Sequence, residues 1–138
     1  MSRMWQVFSG PDALEDLPDE GYASPWSYPS QVRIPMEHWQ AIIAFAQSRD
    51  AAEAALLEQV SFLDGTPLDA AAEARFLSLL VTLAKVVVGA DPLTPEGVDP
   101  AVIPEPMPNT SYAEMLSDIA RLMHRTQALG MSVDSWVD

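Results

Sequence analysis

The chemistry open to this chain of 138 residues is narrow, because it has two histidines and no cysteine. Histidine is the side chain whose ordinary pKa lies nearest neutrality, so proton transfer or metal binding would have to start from His38 or His124. Neither has a histidine or carboxylate four residues away, the spacing that puts two ligands on one helical face. Glu37 adjoins His38 in sequence and is expected to point elsewhere on its helix. Both histidines therefore read as structural. The absence of cysteine removes thiolate zinc sites, disulfides and cysteine nucleophiles. No nucleophile elbow, phosphate-binding glycine loop or dinucleotide fingerprint occurs. Asp64-Gly65-Thr66 has the look of a phosphate-chemistry aspartate, yet no hydrophobic strand precedes it, and Asp-Gly reads as a turn. The expectation is a protein that is not an enzyme and needs no cofactor or metal.

What stands out instead is charge. Twenty acids oppose seven bases, for a net charge of −13. Such a surface repels nucleic acid and anionic membranes. It either keeps the chain dispersed or attracts a basic partner. Asp12, Glu15, Asp16, Asp19 and Glu20 form an acidic cluster without a base among them, followed at once by Tyr22, Trp26 and Tyr28 among Gly, Ser and Pro. Carboxylates beside loop aromatics have the composition of an interface hot spot facing a basic protein. These eight residues are the candidate partner-binding site. The competing reading makes the aromatics anchors of their own loop and the acids merely solvated.

The elements that must position this cluster can be read from periodicity. From Leu68 to Val88, Phe76, Leu79, Leu80, Leu83 and Val87 mark one helical face. Leu77, Val81, Ala84 and Val88 make a second apolar face beside it, so this helix is expected at the centre of the fold. Three further helices are expected near residues 35–48, 50–63 and 110–129, the last opened by a Ser111–Glu114 capping box and closed at Gly130. Asp50 caps the second, Pro67 opens the third and Gly89 ends it, while Glu114, Asp118, Arg121 and Arg125 line the solvated side of the fourth. Prolines at 11, 18, 25 and 29 restrict the first 34 residues to short pieces, and six more between 92 and 108 make a long loop. Met4–Phe8 and Gln31–Ile34 alternate weakly and suggest two brief strands. Trp136, close to the end of the sequence, implies a tail docked back on the domain.

The fold class expected is mainly α: a small single-domain bundle of about four helices around a central buried helix, with a proline-rich arm and a long proline-rich loop. Residues 1–34 form the acidic, aromatic arm and 35–138 the helical domain. The short apolar patch after Met1 is too brief for a signal-peptide core, which implies a cytoplasmic location. By class, the chain reads as a small acidic inhibitor of a basic protein, in the manner of bacterial immunity proteins or antitoxins. The alternative is a structural or regulatory subunit that self-associates, or joins a complex, through an apolar helix face.

Overall fold

The computed structural model describes residues 4–16, 27–95 and 105–138. Four helices lie close to the expected positions: α1 (Met36–Arg49), α2 (Ala51–Val60), α3 (Ala70–Val87) and α4 (Asn109–Ala128). The fold class nonetheless needs correcting. A four-stranded antiparallel sheet accompanies the helices, built from β1 (Trp5–Ser9), β2 (Ser27–Tyr28), β3 (Gln31–Pro35) and β4 (Asp134–Val137) in the order β2-β3-β1-β4. The architecture is mixed α and β with helices dominant. Both brief strands expected near the start exist, and they form the sheet's interior pair, Trp5 opposite Pro35 and Ser9 opposite Gln31. The docked tail is β4, which takes the other side of β1 with Gln6 opposite Val137. The stretch read as an arm thus supplies β1, β2 and most of β3.

Strand alternation explains the layering. Phe8, Val32 and Ile34 project toward the helices and are buried, and the Phe8 ring meets Trp39 of α1 edge-on at 5.3 Å and stacks on Phe76 of α3 at 6.1 Å. The register puts Trp5, Val7, Arg33 and Trp136 on the other face. Along α3, Ala72, Phe76, Leu79, Leu80, Leu83 and Val87 are buried, but Val81 is 42% and Val88 53% exposed. The helix expected at the centre therefore lies on a flank. Its first apolar face meets the core, while part of its second faces solvent.

Local signals settle the helix ends. The Asp50 carboxylate accepts from Ala52 N–H at 2.8 Å and Asp69 does the same for Ala72, so α3 starts behind an aspartate cap and not at Pro67. Gly130 adopts φ 69°, and Gly130 and Met131 N–H groups donate to Gln127 and Thr126 carbonyls, the paired bonds of a Schellman end. The expected Ser111 cap is not used. Helix α4 begins two residues earlier, where the Asn109 amide donates to the carbonyls of Val87, Ala90 and Asp91 and accepts from Leu93 N–H. One side chain so bonds carbonyls at and just after the end of α3, where Val87 also accepts from Ala90 N–H, and it joins the two antiparallel helices at that end.

Candidate functional site

Gly10 and Pro11 turn the chain out of β1, and a 3-10 helix follows over Asp12–Asp16. Leu14 is fully buried and pins this turn to the core, which leaves Asp12 and Glu15 exposed. Gly10 N–H donates to the Ser30 carbonyl at 2.8 Å, and Ser30 Oγ donates to Glu15 Oε1 at 2.9 Å. Those two bonds tie the acidic turn to the tight β2–β3 connection, whose Tyr28 is 55% exposed. Asp12, Glu15 and Tyr28 consequently border one surface concavity of about 560 Å³. Three of the eight candidate residues are brought together here. Asp16 closes the 3-10 helix, and Asp19, Glu20, Tyr22 and Trp26 lie outside the described residues.

The base lining this concavity is Arg33. Its Nη2 lies 2.8 Å from Asp138 Oδ2, and its guanidinium sits 5.6 Å from the centre of the Trp5 ring. A cation already occupied by a carboxylate and an indole opposes an incoming basic group weakly. Arg33 also carries the surface onward, because Trp5 and the half-buried Trp136 share its face of the sheet. Trp, Tyr and Arg are the residues that dominate protein interfaces. Sequence reading missed Trp5, Arg33 and Trp136 as neighbours. The alternation in Met4–Phe8 was the available signal, but it does not reveal that a strand at the far end of the chain lies alongside.

No protein family, curated protein or solved structure matches the chain.

A second polar group lies inside. His38 Nδ1 and Tyr112 Oη are 2.8 Å apart, with the rings edge-on at 5.6 Å, and both residues are buried. Glu37, expected to point elsewhere, is also buried and close enough for its charge to act on Tyr112. Asp118 departs from its expected solvated side: it is 1% exposed and accepts from Ser27 Oγ at 2.7 Å, which fastens β2 to α4. These bonds hold β2 and the start of α1 against α4, and so hold the frame behind Tyr28. His124 is exposed on α4. Among the described residues no cluster of His, Asp and Glu could hold a metal ion.

Burial, and after it the charge of Glu37, push the Tyr112 phenol from 10.0 up to about 12. The unfolded chain releases that proton near 10.0 while the folded one keeps it. Stability from this group is therefore complete below the unfolded value and is lost as pH rises toward about 12, at no more than about 1.4 kcal/mol per pH unit. Urea midpoints measured across this range should fall more steeply for the parent than for Tyr112→Phe. Parallel curves would remove Tyr112 from the account.

Proposed function

We propose that this is a small acidic, non-catalytic protein-binding protein that neutralises a basic partner, in the manner of an immunity protein or antitoxin acting in the cytoplasm. The supporting observation is the single concavity bordered by Asp12, Glu15 and Tyr28, in a chain of net charge −13. Exposed carboxylates attract a basic surface from a distance and raise the association rate; an aromatic that loses its water on contact slows dissociation. A rigid support lowers the ordering cost of binding, and here the buried Leu14 and the Glu15–Ser30 bond hold the turn. The same charge disfavours nucleic acid as the partner. No helix among the described residues is long and apolar enough to cross a membrane.

Affinity capture with mass spectrometry names the partner, and two variants then separate the contributions. Asp12→Asn with Glu15→Gln should lower the association rate and flatten its salt dependence, with little change in melting temperature. Tyr28→Ala should mainly raise the dissociation rate, by about 2 kcal/mol if it is a hot spot. Trp26→Ala tests the sequence-derived anchor in the same way. If the acid and aromatic variants all bind with parental affinity, the reading fails.

The competing reading, self-association through α3, draws on the exposed Val81 and Val88. It expects a sedimentation coefficient that rises with concentration and resists salt, since apolar association is not screened.

A further inference from the structure

Of the six glycines in the chain, Gly65 is the one that follows an aspartate or asparagine. At such a step the backbone nitrogen can attack the preceding carboxyl group, because glycine puts no side chain in its way. Asp64 and Gly65 are both exposed, with φ of 46° and 82°. Thr66 N–H donates to the Leu63 carbonyl at 2.9 Å, which closes residues 63–66 as a type I′ turn. Three bonds fasten this turn to β4. Leu63 N–H donates to Ser135 Oγ at 3.0 Å, Asp64 N–H to the Ser135 carbonyl at 3.0 Å, and Gly65 N–H to Asp134 Oδ1 at 2.8 Å.

We infer that Asp64 is a site of covalent modification, isoaspartate formation, which the fold holds silent through Asp134. In this reaction Gly65 N bonds to Asp64 Cγ, and the carboxyl hydroxyl leaves with the amide proton as one water. Solvent water then opens the five-membered imide, with nothing oxidised or reduced. Breaking its N–Cγ bond restores aspartate; breaking the bond to the main-chain carbonyl carbon routes the backbone through Cγ and lengthens it by one methylene. Two features oppose ring closure. The I′ backbone sets Gly65 N nearly opposite Asp64 Cβ across the Cα–C bond, whereas closure needs both on one side. The nitrogen must also release its proton, and the Asp134 carboxylate holds that hydrogen and disfavours negative charge beside it. Asp134 Oδ1 is itself positioned, since it accepts from Ser135 N–H at 2.9 Å. The modification is coupled to β4: a backbone lengthened at Asp64 carries Gly65 N–H off Asp134 and loosens the strand that bears Trp136.

The full chain is aged at neutral pH and digested with trypsin, and the peptide of residues 50–75 is scored for isoaspartate by electron-transfer fragmentation. The folded parent should accumulate it at least about tenfold more slowly than the parent in guanidinium chloride, because protected segments react through rare openings. Asp134→Ala should raise the folded rate about fivefold, the population shift that follows the loss of one hydrogen bond. Asp134→Asn keeps an acceptor and removes the charge, so its increase should be smaller. Amide exchange at Gly65, followed by NMR, should quicken in the same order. Ile119→Val, a core truncation in α4, lowers global stability without touching this turn and should leave the rate unchanged. Asp64→Glu, which would have to close a six-membered ring, should give no product at residue 64. The inference is overturned if isoaspartate fails to form at Asp64 in denaturant, or forms as fast in the folded parent. It is also overturned if neither Asp134 variant exceeds the parent, if Asp134→Ala slows the reaction as loss of a general base would, or if Ile119→Val speeds it equally.

Discussion

Trp39→Ala should destabilise the protein by about 3–5 kcal/mol, the largest loss expected from any single truncation here. Trp39 is fully buried on α1, its ring edge-on to Phe8 of the sheet. Its Nε1–H donates to Ser61 Oγ at 2.8 Å, and Ser61 Oγ donates in turn to the Leu57 carbonyl at the end of α2. One side chain therefore connects β1, α1 and α2, and removing it opens a cavity among elements that cannot close together. The hydrogen-bond share can be measured separately. Ser61→Ala keeps the indole in place and should cost about 1 kcal/mol. Urea denaturation supplies both values. A Trp39→Ala loss under about 1 kcal/mol would mean that the helices repack without the sheet.

Gly10→Ala should cost about 1–3 kcal/mol although it adds a single methyl group. A Cβ at Gly10 would stand 2.6 Å from Thr126 Oγ1 and 2.7 Å from Leu14 Cδ1, closer than real contacts allow. Neither neighbour yields easily. Thr126 is fully buried and its hydroxyl donates to the Leu122 carbonyl, while Leu14 is the residue that pins the acidic turn. Gly89 supplies the control. Among the described residues nothing lies within 4 Å of a Cβ there, and Gly89→Ala should be neutral or stabilise by up to about 1 kcal/mol. Thr126→Ala should recover part of the Gly10→Ala loss, since it removes the nearer atom, and a double-mutant cycle measures the coupling. Equal melting temperatures for the parent and Gly10→Ala would refute the close packing. The effect should reach function as well. Displacing Leu14 tilts the turn that carries Asp12 and Glu15, so any partner binding should weaken beyond what the stability loss explains.

Periodicity along the chain was enough for the helices. Apolar residues at i, i+3 and i+4 located all four within a few residues, and with them the full burial of Leu80 and Leu83. Caps were legible where a residue acts on its own backbone, as Asp50 and Gly130 do. Asn109 was not, because it bonds to carbonyls some twenty residues away. The two early strands were visible as alternation, but their sheet was not, since β1 lies between β3 and a strand over 120 residues later. Backbone pairing leaves little trace in side-chain pattern, and because β1 is buried on both faces its weak alternation does not mark which face meets the helices. The tertiary structure also decided where α3 lies. A helix apolar on two faces could have been central; here the face of Phe76, Leu80 and Leu83 meets the core, while Val81 and Val88 border solvent. The acidic cluster was plain from composition. Its meeting with Tyr28 was not, because it depends on Leu14 turning inward and on Ser30 reaching Glu15, contacts between parts of the chain that only folding brings together.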